Sequence, residues 1–261
     1  MTDPGARPNP STATAAERIA VTTARLLPDR SVCFVGIGLP GTAALLAQRT
    51  TAPASVLIYE SGAVGARPTR LPLSIGDGEL AETAQLVVPM AEIFNYWLQG
   101  GRVDIGLLGA AQVDRFGNLN TTVIGEYGRP RVRLPGAGGA PEIATSAARV
   151  VVLVRHSTRT LVERVDFLTT RTARPARASS LPRLAAVGRH QPTVVTDLGV
   201  LRFEPLVGEL VLHAVHEGVS VADLVAATGW PLRCAERVEV TETPSSAELT
   251  IVRELTNPVA G

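Results

Sequence analysis

Apolar residues recur at helical spacing from Ala13 to Leu27, with Glu17 near the start, and this predicts a helix there. Ser31 to Val35 is a short apolar run closed by Gly36, the pattern of a buried strand. Gly41 to Gln48 reads as a helix and Ser55 to Tyr59 as a second strand. Strand, turn, helix and strand in that order predict an α/β fold built on an open, mostly parallel sheet with flanking helices. Further along, the pattern predicts a helix over Leu86 to Leu98 and a buried strand over Val103 to Leu108. Arg149 to Val154 is a run of strand-forming residues, and Val165 to Leu168 and Thr193 to Thr196 are shorter candidates. Val219 to Ala227 and Ser245 to Leu255 read as helices that open on capping residues. Residues 1–12 read as a disordered leader and 13–261 as a single domain. The Arg-, Pro- and Ser-rich stretch from Thr169 to Pro192 is predicted to be a long surface excursion.

Composition narrows the chemistry. The chain has 261 residues, 45% of them hydrophobic and 19% charged, enough apolar material for a sizeable core. Its 25 basic and 24 acidic residues leave a net charge of +1, which gives no electrostatic footprint for nucleic acid or a membrane surface. All 25 basic residues are arginine. Schiff-base and phosphate-loop lysine chemistry are therefore excluded. Two cysteines, Cys33 and Cys234, cannot build a disulfide framework or a four-thiolate metal site. His213 and His216 are read as part of a helix surface, and no metal is expected. No run approaches the length of a membrane span and the N-terminus has no secretory pattern, so the expectation is a soluble cytoplasmic protein.

Three constellations carry candidate chemistry. Gly36, Gly38 and Gly41 follow a strand and open a helix, and Glu60 ends the next strand. On spacing this matches a dinucleotide-binding fingerprint, but the reading that weighs more is a tight turn of the kind found in any α/β sheet. After Glu60 the chain enters a loop with Pro68 and Pro72 rather than a second crossover helix. Glu60-Ser61-Gly62 is the second: a strand-end carboxylate followed by small residues leaves room for a reactant and can act as a nucleophile. The third is a pair of glycine-containing stretches, Gly109 to Asn120 and Gly136 to Ala144. Successive glycines let backbone N–H groups converge on an oxyanion, and they also make hairpin turns.

The order and approximate spacing of Gly36 to Pro40, Glu60 to Gly62, Ala111 to Thr122, Gly136 to Thr145 and Val165 to Thr169 resemble the family I coenzyme A transferases. The resemblance is to the B (beta) subunit of the glutaconate CoA-transferase type and runs from about Val21 to Pro258. It implies a Rossmann-like sheet of the NagB/RpiA/CoA-transferase type that binds no nicotinamide. It implies Glu60 as the nucleophile that passes CoA between an acyl-CoA and a (di)carboxylic acid through a glutamyl-CoA thioester. It implies backbone N–H groups of Gly138 and Gly139 as oxyanion donors, with Gln112 as a side-chain candidate, and Gly36 and Gly38 in the turn facing the same cleft. No permanently bound cofactor is implied; the CoA thioester is a substrate. The implied partner is an A (alpha) subunit of similar size on a separate chain. Relatives that have left acyl exchange for hydrolysis or decarboxylation keep a second reading open. Arg67 and Arg70, in the loop from Ala63 to Gly78, are candidates to meet a distal substrate carboxylate or to be solvated at the surface.

Overall fold

The computed structural model describes residues 13–172 and 191–256. The leader, 1–12, and most of the predicted excursion, 173–190, lie outside them. In chain order the elements are α1 (Ala15–Arg25), β1 (Val32–Val35), α2 (Leu39–Arg49), β2 (Val56–Ile58), β3 (Ala63–Val64), α3 (Gly78–Glu82), β4 (Leu86–Val87) and α4 (Met90–Glu92). The last runs directly into a π-helical turn at Ile93–Leu98. There follow β5 (Ile105–Gly109), β6 (Gln112–Asp114), β7 (Leu119–Asn120), β8 (Val123–Glu126), β9 (Arg129–Arg133), α5 (Ala140–Ser146) and β10 (Arg149–Leu153). The chain continues as β11 (Leu161–Val162), β12 (Thr193–Val195), β13 (Gly199–Glu204), β14 (Glu209–His216), α6 (Val221–Ala226), β15 (Arg233–Thr241) and α7 (Ser246–Thr256).

Ten strands form one sheet in the order β15-β14-β13-β12-β10-β5-β1-β2-β3-β4. Its centre, from β12 to β2, is parallel, and antiparallel strands extend it on both sides. Strand periodicity sorts the core into two layers. Cys33, Val35, Leu57, Ile105, Leu107, Val151 and Leu153 face the layer that includes Ile19, Leu45 and Val252 of α1, α2 and α7. Phe34, Ile58, Leu108, Val150 and Val152 face the other layer, with Ile93, Leu98 and Ile143.

Helix α1 begins where the sequence places it, because Thr14 and Glu17 form a reciprocal capping box. Arg25 pairs with Glu248 at 2.7 Å and Arg253 with Glu17 at 2.6 Å, tying α1 to α7. Burial pushes the Glu17 carboxyl up, but the Arg253 and Thr14 hydrogen bonds outweigh it and hold its pKa below the ordinary value.

Several expectations are corrected. Leu86 to Leu98 is not one helix. Leu86 and Val87 pair with β3, and Pro89, extended at ψ 144°, sits at the cap of a helix that starts only at Met90. Val165 to Leu168 is not a strand. The Asp166 backbone N donates to Gln112 Oε1 and its carboxylate accepts from Gly125 N, which cross-links the segment instead of extending it. His213 and His216 lie on β14, not a helix. Strands β13, β14 and β15 are additions that the apolar pattern does not predict.

Candidate active site

Strand β1 is flanked by β2 on one side and β5 on the other, so the chain runs to opposite sides from the sheet centre. Such a switch point leaves a crevice beyond the carboxyl ends of the strands. The crevice here is a cleft of about 450 Å³. Its walls include Val35 at the end of β1, Gly36 and Ile37 after it, Glu60 after β2, Leu108 to Ala111 at the end of β5, and the segment Leu134 to Ala140.

Glu60 is half-buried and begins a tight turn. Tyr59 N donates to Ala63 O, and Gly62 N to Tyr59 O, so the chain reverses immediately into β3. Gly62 is required there. Its φ is +109°, and a Cβ would collide with Val88 O. This reversal takes the place of the crossover helix that a dinucleotide fold would have, and it leaves the carboxylate facing the cleft.

Gly139 is brought against Glu60. A Cβ on Gly139 would lie 3.4 Å from Glu60 Cδ and 2.8 Å from Phe94 Cζ. Gly138, at φ +49°, is exposed, and a Cβ there would meet nothing within 4 Å. Gly36 lines the cleft beside Leu107 O, 3.2 Å from where its Cβ would be. Gly38, at φ +79°, is the N-cap of α2 and is not in the cleft wall.

Gln112 is not in the wall either. It is buried, and its Oε1 accepts from Asn120 Nδ2 at 2.8 Å and from Asp166 N at 3.0 Å. The polar residues around it form a scaffold. Asp114 accepts from Phe116 N, Asn118 N and Asn118 Nδ2, closing the turn at Gly117. Asn120 donates to Val123 O and accepts from Thr122 N. Arg67 and Arg70 also lie outside the cleft. Arg70 pairs with Asp77 at 2.8 Å and Glu79 at 3.2 Å, and Arg67 donates to Pro53 O.

Two further residues belong to this site that the sequence pattern does not single out. Phe94 packs against Gly139 and Phe34, with ring centroids 6.1 Å apart in the latter pair. Thr121 lines the cleft. Neither carries a local sequence signal that separates it from its neighbours.

Among the described residues no group of three or more His, Cys, Asp and Glu could hold a metal ion. No described helix is long and apolar enough to cross a membrane.

Residues 16–227 match the model of a family described as coenzyme A transferase. The chain is 52% identical over 239 residues to the B subunit of 3-oxoadipate CoA-transferase from Pseudomonas knackmussii, covering 92% of each chain. It is 33% identical over 248 residues to the B subunit of glutaconate CoA-transferase from Acidaminococcus fermentans, covering 93% of this chain and 92% of that one. The crystal structure of the latter enzyme superposes with a TM-score of 0.82 at 30% identity, over 95% of this chain and 96% of that one. The decarboxylase AibA/AibB superposes with a TM-score of 0.79 at 28% identity, over 94% and 95%.

Proposed function

The chain belongs to the coenzyme A transferase family, and from that premise we propose that it is the B (beta) component of a heteromeric CoA-transferase whose nucleophile is Glu60. A Glu60 oxygen attacks the thioester carbonyl carbon of an acyl-CoA. The C–S bond breaks, giving an acyl-glutamyl anhydride and CoA thiolate. The thiolate attacks the glutamyl carbonyl carbon, releases the first acid as its carboxylate and leaves a glutamyl-CoA thioester. The carboxylate of the acceptor acid attacks that thioester and expels thiolate. The thiolate then attacks the acyl carbonyl of the new anhydride, which yields the new acyl-CoA and restores Glu60. No net proton is consumed, and one thioester is exchanged for another of similar energy.

The observation that carries this reading is the contact between Glu60 and Gly139. The carboxyl carbon lies 3.4 Å from where a Gly139 Cβ would be, beside a loop whose backbone N–H groups can meet a developing oxyanion. We assign the oxyanion to the N–H groups of Gly138 and Gly139, with Gly36 in the facing turn. Gln112 is left out of this assignment, since it is not part of the described cleft wall. Gly38 acts at one remove, by fixing where α2 begins.

The names of both relatives contain a dicarboxylic acid, 3-oxoadipate or glutaconate, so we count a dicarboxylic acid among the substrates here. The active unit is this chain with an A-type partner, in the cytoplasm, without a resident cofactor. A glutamyl anhydride and thioester must be shielded from water, and an A-type chain closing the cleft mouth does that. A second reading is a decarboxylase or hydrolase of a CoA thioester on the same scaffold, and similarity to the decarboxylase AibA/AibB supports the first of these.

Substitution separates them. Glu60→Gln in the co-purified complex is expected to lower transfer by roughly 10⁴-fold or more while leaving folding intact. Glu60→Asp, which withdraws the carboxylate by about one bond length, is expected to lose roughly a hundredfold. Free CoA or carbon dioxide released undiminished by Glu60→Gln would favour the second reading.

A further inference from the structure

Of all the side chains in the described cleft wall, two carry polar atoms: Glu60 and Thr121. The remainder are aliphatic, aromatic or glycine. The Thr121 hydroxyl is buried and has no hydrogen-bond partner among the described residues. An unpaired buried hydroxyl is unfavourable in a folded chain, and a ligand that brings an acceptor relieves that cost.

Thr121 is held firmly. Its backbone N donates to Thr169 Oγ1 at 3.0 Å, and its carbonyl accepts from Gly136 N at 2.8 Å. Thr122 next to it also meets Thr169 Oγ1, at 2.7 Å. The hairpin of Gln112, Asp114, Asn118 and Asn120 therefore ends on a residue whose backbone is fixed and whose side chain is unengaged. A χ1 rotation of about 120° carries the hydroxyl to another staggered position, so it can be turned to a bound acyl group without moving the backbone.

Its position along the glycine segment defines what it meets. Thr121 is bonded to Gly136, at the start of that segment, while Glu60 lies against Gly139, three residues on. The two polar groups thus meet different points of the glycine segment in one cleft, whose apolar wall includes Leu134 and Ile143.

We propose that Thr121 is a specificity-determining residue whose hydroxyl donates to an oxygen on the acyl chain, remote from the carbon that Glu60 attacks. The ligand class is a short acid that bears a second oxygen function, a carboxylate or a keto group, beyond the reacting carboxyl. This rests on the cleft being the acyl site of a CoA-transferase and specifies its substrate preference.

The test compares two thioesters of equal chain length, succinyl-CoA and butyryl-CoA, with the complete complex. Thr121→Val removes the hydroxyl at nearly constant shape, and Thr121→Ser retains it. Val is expected to lower kcat/KM for succinyl-CoA by roughly tenfold to a hundredfold and to leave butyryl-CoA within about twofold, with Ser close to the parent. Calorimetric binding of free succinate and butyrate gives the same comparison without turnover. Equal losses on both acyl groups, or no loss on either, would overturn the proposal. Glu60→Gln assayed alongside keeps the two readings apart: if it retains transfer, the assignment of the site itself fails, whatever Thr121 does.

Discussion

Gly139 and Gly138 are adjacent and differ in what a methyl group would do. Gly139 has φ −82°, so alanine costs nothing in the backbone, but its Cβ would press on the Phe94 ring at 2.8 Å while only touching Glu60 Cδ at 3.4 Å. Gly139→Ala is expected to destabilise the fold by about 1–2 kcal/mol and to cut transfer by roughly a hundredfold, because relieving the overlap with Phe94 moves the loop and its N–H groups away from the carboxylate. Gly138 has φ +49° and open space around it. Gly138→Ala keeps its N–H and is expected to cost about 1 kcal/mol of stability with little change in turnover. Thermal melts and steady-state kinetics on both variants check the pair, and equal activities would separate Gly139 from the chemistry. At this scale the sequence is informative for Glu60 and the glycines, because a strand-end carboxylate and clustered glycines are local features. It says less for Gln112. Whether an amide faces a cleft or a hairpin depends on where Asn120 and Asp166 lie, and nothing in one segment records that.

Among the elements, helices with their own caps are legible. Thr14 with Glu17, and Ser220 with Asp223, mark starts that the chain respects. The segment from Leu86 to Leu98 is not, because its apolar residues suit either period and the pairing of Leu86 and Val87 with β3 is a tertiary event. The π-helical turn that presents Phe94 has no sequence signature. Strand β14 hides in the same way, since its two histidines three apart mimic helical spacing. Its real role lies in a buried cluster. His216 Nε2 donates to Thr196 O at 2.8 Å, and His156 Nδ1 lies 2.9 Å from Thr196 Oγ1. Burial lowers the His156 pKa to about 4, outweighing the pull of Asp197, and burial lowers that of His216 as well. In the unfolded chain an imidazole titrates near 6.5. Between those values the unfolded chain holds the extra proton, so stability is full above about pH 6.5 and falls as the pH drops toward 4. His156 alone contributes about 3 kcal/mol to that loss. Melting temperature measured from about pH 7 to about 4.5 is expected to decline, and His156→Gln to flatten the slope. An unchanged slope would remove the histidine from the cause.

Across the whole molecule, an α/β class is readable from alternating strand and helix patterns, but the order of strands is not. The antiparallel β12-β13-β14 run and the β2-β3-β4 reversal are set by pairings between segments, and the second depends on Gly62 fitting under Val88. That reversal is what leaves Glu60 at the mouth of the central crevice. The most direct measurement is intact mass spectrometry of this chain, co-purified with its A-type partner and mixed with acyl-CoA. Peptide mapping then locates any adduct. A CoA-sized addition on Glu60, discharged by an acceptor acid and absent in Glu60→Gln, is the expected result. Turnover with no adduct on Glu60, or an adduct that survives in Glu60→Gln, would contradict the central assignment.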